Sequence, residues 1–278
     1  MKLARLSLAA LALSVFAAPA QADLRITVEN VNEGGSFFFT PFWVALHNGG
    51  FDSYDGGTLA SEWPGLTELA ETGATGPISA AFLASPAGAA GGVDTTVTSV
   101  SFATDAPVLN PGERTTITME TGDKTVNRYF SYASMVIPSN DLFVANGNPF
   151  AHEIFDVDGN FLGPIVIDII GSNDNGTEVN DASGGAAFSA NGGMSASENV
   201  VIRNFFTDPG DVAYLASFAG SQTVTGFNID GAYSEGDVIA RITITSDAPE
   251  SCPADLDYDG SIGFNDLLQL LSSWGPCP

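Results

Sequence analysis

Apolar and polar residues alternate with a period of two in runs separated along this chain, which marks those runs as strands that bury one face. Leu24, Ile26 and Val28 alternate with Arg25, Thr27 and Glu29. Ile117 and Met119 alternate with threonines between Thr115 and Glu120, and Val238 to Thr245 closes the pattern with ARITIT. Clusters of Gly, Asn, Asp and Pro separate these runs, as the turns of an antiparallel sandwich require. Residues 23 to 245 therefore read as one all-β domain with long loops. One short helix is expected at Leu66 to Glu71, where Leu66, Leu69 and Ala70 share a face and Gly73 would stop it. The stretches 84 to 93 and 181 to 199, rich in Gly, Ala, Ser and Asn, read as mobile loops.

The two ends of the chain differ in kind from this middle. Residues 1 to 22 have the form of a secretory signal peptide: Lys2 and Arg5, an apolar run from Leu6 to Ala18, then Ala20-Gln21-Ala22 as a small-residue cleavage site. That run is too short to span a bilayer and no later segment reaches spanning length. A secreted, extracellular or cell-surface-associated protein with no transmembrane segment is the expectation. Residues 246 to 251, SDAPES, read as a polar linker to a small terminal unit at 252 to 278.

That terminal unit carries a carboxylate ladder. Counted as a twelve-residue calcium loop, Asp255 stands at position 1, Asp257, Asp259 and Ser261 at 3, 5 and 7, Gly260 at the sharp turn and Asp266 at 12. Only hard oxygen ligands are offered, so the expected ion is Ca2+. Leu267, Leu268, Leu270, Leu271 and Trp274 follow at helical spacing, so the loop feeds an amphipathic helix. Cys252 and Cys277 flank the unit and are the only cysteines. In an oxidising compartment they are expected to form one disulfide, worth roughly 3 kcal/mol to a fragment too small to bury much core. The segment resembles a dockerin-type, EF-hand-like calcium repeat. It departs from ordinary dockerins in having one loop rather than two, and the resemblance implies a cohesin-like anchoring receptor as a possible partner.

A formal net charge of −25 becomes more negative still once Lys2 and Arg5 leave with the leader. Nucleic acid and anionic membrane surfaces are thereby argued against as partners. With 44% hydrophobic and 10% aromatic residues the chain is globular rather than disordered.

Four blocks within the sandwich carry a second resemblance: PFWVALHNGGFDSYDGG at 41 to 57, LTELAETG at 66 to 73, SMVIPSNDLFVANG at 134 to 147 and NDNGTEVND at 173 to 181. Their order and wording look like the spondin N-terminal domain in its stand-alone bacterial form. The resemblance implies an antiparallel C2-like β-sandwich with a calcium ion among loops at one end, and attachment to an extracellular matrix or cell-surface component. Asp141 matches the family's acidic position after the Met-containing strand, and Asp174 and Glu178 match its D-x-G-T-[DE] block. Glu120 and Asp123 are candidates for one further carboxylate. Asp156-Val157-Asp158-Gly159-Asn160 also looks metal-like but reads as a hairpin turn.

Signs of catalysis are lacking. His47 and His152 are the only histidines, and no nucleophile elbow, zinc-binding H-E-x-x-H or phosphate loop is present. His47 ends an apolar run and reads as a core or hydrogen-bonding residue. Trp43 and Trp63 likewise read as core. A non-enzymatic adhesion or matrix-binding module is therefore expected. The alternative, from a different class, is a calcium-dependent polysaccharide-binding or polysaccharide-cleaving protein.

Overall fold

The computed structural model describes residues 23–32, 37–99, 107–181, 186–190, 195–246 and 263–272. In chain order these form β1 (Leu24–Asn30), β2 (Phe38–Phe39), β3 (Phe42–His47), α1 (Leu66–Thr72), α2 (Thr75–Ala84), α3 (Pro86–Ala89), β4 (Val93–Val97) and β5 (Arg114–Met119). They continue as β6 (Tyr129–Ile137), β7 (Leu142–Ala145), β8 (Ile165–Ile170), β9 (Asn173–Asp174), β10 (Arg203–Asn204), α4 (Pro209–Ala216), β11 (Val238–Ser246) and α5 (Phe264–Ser272). One sheet has the order β5-β1-β11-β8, and the other runs β10-β9-β7-β6-β3-β4 with β2 added on β6. Every pairing is antiparallel.

The four-stranded sheet follows the alternation in the sequence. Leu24, Ile26 and Val28 are buried while the residues between them face outward, and Ile26 pairs with Ile244 on one side and Ile117 on the other. Its outer face is wet: the Thr27 and Thr116 hydroxyls meet at 2.8 Å, and Arg241 Nε donates to Asp168 Oδ1 at 2.6 Å. Pairing of the first strand with β11 extends to Ser246, opposite Leu24.

The larger sheet behaves differently because both of its faces are covered. All six residues of β3 are buried, as are eight of nine in β6, so no alternation is visible in their sequence. Val44, Leu46, Phe130 and Val136 face the four-stranded sheet. Trp43, Ala45, Ala133 and Phe143 face a layer of helices, packing on Leu66, Leu69, Ile78 and Phe82. Phe82 anchors that layer, with its ring edge-on to Trp43 at 5.6 Å and to Phe51 at 5.4 Å. Trp43 and Trp63 are both structural, donating through Nε1 to Asp94 Oδ2 (2.8 Å) and Thr58 Oγ1 (2.7 Å).

Helix content is 20%, more than one short helix supplies. The expected helix is present as α1 and ends at Gly73, whose φ of +70° a side chain rarely adopts. The stretch 84 to 93, read as a loop, is instead helical at both ends of Ser85. Ser85 Oγ accepts from the backbone N–H groups of Ala87 (3.1 Å) and Gly88 (3.4 Å), and Pro86 at the first helical position starts α3. Alanine's helix preference outweighs the glycines there. The fourth helix begins the same way, with Asp208 Oδ1 accepting from Gly210 N–H at 2.7 Å ahead of Pro209.

The fifth helix confirms the helix expected in the terminal unit. Asp266 sits in its first turn, 3% exposed, and Oδ2 accepts from Gly263 N–H at 2.6 Å, the N3-to-N-cap half of a capping box. Asp255, Asp257, Asp259, Ser261, Cys252, Cys277 and Trp274 lie outside the described residues, as do residues 1 to 22 and 247 to 251. Among the described residues no helix is long and apolar enough to cross a membrane.

Candidate functional site

At one end of the larger sheet the turn between β6 and β7, the short strands β9 and β10 and the start of α4 bring buried carboxylates together. Asp141 closes the turn immediately before β7, and Asp174 faces Leu142 across the β7–β9 pairing. Both are completely buried and Asp211 nearly so, at 4% exposed. Of the three residues expected to bind one ion, the structure therefore unites Asp141 and Asp174.

Their surroundings differ. Asp141 Oδ2 accepts from Thr177 N–H (2.9 Å), Glu178 N–H (3.0 Å) and the Thr177 hydroxyl (3.2 Å), while Oδ1 has no partner. Burial pushes the Asp141 carboxyl above the usual range, and the neighbouring Asp174 charge pushes it further. Glu178 meets Asp141 through its backbone N–H, and its own carboxylate is only half-buried.

Asp174 is more fully occupied. Its Oδ1 accepts from Gly176 N–H at 2.7 Å, and its Oδ2 accepts from Asn180 Nδ2 at 2.6 Å and from Arg203 at 3.0 Å. Arg203 also donates through Nε to Asp211 Oδ2 at 3.0 Å, and Asn180 Nδ2 donates to Asp211 Oδ1 at 2.8 Å. Burial raises the Asp174 pKa; Arg203 opposes this and Asp211 adds to it. Asp174 and Asp211 thus share one guanidinium, which is a fixed internal cation for them and not for Asp141.

Around Asp141 several oxygens are left without donors. Asn140 Nδ2 donates to the Glu178 carbonyl (3.1 Å) and Asn175 Nδ2 to the Thr177 hydroxyl (3.0 Å), which fixes the orientation of both amides. Their Oδ1 atoms are then buried acceptors with no partner, as is Asn180 Oδ1. An unmatched buried acceptor costs about 1–3 kcal/mol, and several in one loop cluster suit a hydrogen-bond donor or a cation. Among the described residues no three His, Cys, Asp or Glu side chains form a metal-holding group by themselves.

Arg203, Asp211, Asn140 and Asn180 were not singled out by sequence reasoning. Arg203 had a usable signal, because Lys and Arg number only 8 in the chain. Asp208-Pro209 also signalled a helix start that brings Asp211 inward.

The other candidates lie elsewhere. Asp123 is exposed, and its Oδ1 accepts from the Thr125 N–H (2.9 Å) and hydroxyl (2.7 Å). Asp156 builds the hairpin turn, accepting from Asp158 N–H and Asn160 N–H at 2.9 Å each, beneath a Phe155–Phe161 bridge. His47 is fully buried, with Nδ1 accepting from Gly49 N–H (2.9 Å) and Nε2 facing Ser131 Oγ (2.8 Å). Burial lowers its pKa to about 4, so the ring is neutral. No family model and no curated protein matches this chain.

Proposed function

We propose that the protein is a secreted, non-enzymatic adhesion or matrix-binding module in which Asp141 and its neighbouring amides hold a calcium ion, with the terminal unit at 252 to 278 as an anchoring, calcium-dependent appendix. The observation that carries the reading is the buried, unpartnered Asp141 Oδ1, in loops that also hold the buried, unpartnered Oδ1 atoms of Asn140 and Asn175. All three are hard acceptors, a carboxylate and two amide carbonyls, and this is the donor set calcium takes. The ion would supply positive charge that fixes the turn before β7 against the 174–180 loop. Asp174 could join only in competition with Arg203, and Glu178 only by turning its half-buried carboxylate inward.

The spondin resemblance of the blocks containing Asp141 and Glu178 supports the same placement and gives the proposed C2-like character of the sandwich. Secretion rests on the leader-like residues 1 to 22, and anchoring rests on the ladder from Asp255 to Asp266. A calcium titration of the full chain, followed by thermal melting, tests the reading. Asp141→Ala should remove the calcium response of the sandwich and leave that of the terminal unit, and Asp255→Ala should do the reverse. A sandwich transition that ignores calcium in the unaltered protein would sink the proposal.

A further inference from the structure

A second polar feature opens where β9 stops. That strand pairs with β7 only at Leu142 and Phe143, so among the described residues no strand continues the sheet beside Val144 and Ala145. The chain crosses between the two sheets at Gly171 and Ser172, and a cavity of about 190 Å³ is left in the notch. At ~30 Å³ per water molecule, that is the space of a handful of waters or of one sugar ring.

The wall is polar and uncharged. Tyr54, Tyr132, Asn173 and Asn204 line the cavity, and no Asp, Glu, Lys or Arg does, in a chain with 33 acidic residues. Tyr132 lines the cavity with 6% of its surface exposed, and its hydroxyl forms no hydrogen bond with the described residues. Tyr54 Oη accepts from Asn173 Nδ2 at 3.0 Å, which leaves its own proton free to donate. Asn204 Oδ1 accepts from Phe206 N–H at 2.9 Å, which leaves Nδ2 free. The free groups are thus phenol hydroxyls, which both donate and accept, and the Asn204 amide nitrogen. A cation would ask for acceptors alone and an anion for donors alone. A ligand of hydroxyl groups, each donating and accepting, matches the set.

We propose that this notch binds one residue of a neutral glycan through Tyr54, Tyr132, Asn173 and Asn204. The site goes beyond the calcium reading and does not rest on it: Asn173 and Asp174 are successive residues of β9 and face opposite sides of the sheet.

The test uses the full secreted chain and isothermal titration with neutral gluco-, xylo- and manno-oligosaccharides, with oligogalacturonate as the charged control. One neutral series should bind, and Tyr132→Phe and Asn173→Ala should each weaken it by about tenfold or more with the melting temperature of Tyr132→Phe unchanged. Because Tyr132→Phe keeps the ring and removes only the hydroxyl, a folding defect cannot account for its loss. Absence of neutral-sugar binding by the unaltered protein, undiminished binding by both variants, or equal affinity for oligogalacturonate would each overturn the proposal.

Discussion

Strand β7 is 4 residues long, and each of its ends meets a buried polar group of opposite character. Just past its C-terminal end, Asn146 Oδ1 accepts from Tyr132 N–H (2.8 Å) and Nδ2 donates to Ser131 Oγ (3.0 Å), which in turn meets His47 Nε2. Every side-chain nitrogen and oxygen of that His47–Ser131–Asn146 group has a partner and the group is neutral. Just before its N-terminal end, Asp141 is ionisable, crowded by a second carboxylate and left with an unmatched oxygen. A neutral network complete in itself needs nothing further and is explained by folding alone. An ionisable one with unmatched acceptors is not complete in itself, and Arg203 supplies a cation to the Asp174–Asp211 half of it.

The largest break in this comparison should come from removing that internal cation. Arg203→Ala leaves Asp174 and Asp211 buried and uncompensated, so urea unfolding should report a loss of about 3–5 kcal/mol. Adding Asp211→Asn to Arg203→Ala should restore part of the loss. A neutral Arg203→Ala would mean that the cluster is already discharged by protonation, and the contrast between the two ends would disappear.

Calcium should give the next largest effect. An ion bound only by the folded state stabilises by about 2.7 kcal/mol at a hundred times its dissociation constant. Asn140→Ala and Asn175→Ala should each reduce the shift of the sandwich melting temperature, and Asn146→Ala should lower stability without altering the shift. If Asn146→Ala abolishes the shift and the other two do not, the roles of the two ends of β7 are exchanged.

How much of this was legible depended on how many faces of an element are buried. The strands β1, β5 and β11 carry their period of two openly because one face is wet. Strands β3 and β6 are covered on both sides, so PFWVALH announces burial but not which residue faces which layer. The helices after Ser85 and Asp208 were hidden behind glycine and alanine content, although each has a cap residue followed by proline. Asp141 and Asp174 could be read from their blocks. Asn140, Asn180, Asp211 and Arg203 could not, because their meeting depends on a loop and a helix that close over the sheet edge, and no local spacing records that.

Acid separates the two ends by sign. Burial lowers the folded-state pKa of His47 to about 4 from 6.5. Its stabilising contribution is therefore complete above pH 6.5 and is lost as pH falls toward 4, about 2 kcal/mol by pH 5. Asp141 has a raised folded pKa, so its contribution is complete below the ordinary aspartate range and is lost as pH rises through that raised value. With chelator present, His47→Gln should flatten the acid limb of a stability–pH curve and Asp141→Asn the opposite limb. The same limb flattened by both variants would contradict the assignment.

The smallest effect expected is at Asp123, the loop carboxylate that sequence reasoning offered as a further ligand. Its side chain is exposed and both contacts are to Thr125, two residues away, in an ordinary turn. Asp123→Ala should therefore leave stability nearly unchanged and leave the calcium-dependent melting shift whole. Melting curves of this variant with and without calcium decide the matter. A diminished shift would show that the ion draws on a carboxylate from the segment between β5 and β6, and the site would then extend beyond the turn before β7 and the 174–180 loop that the buried, unmatched oxygens mark out.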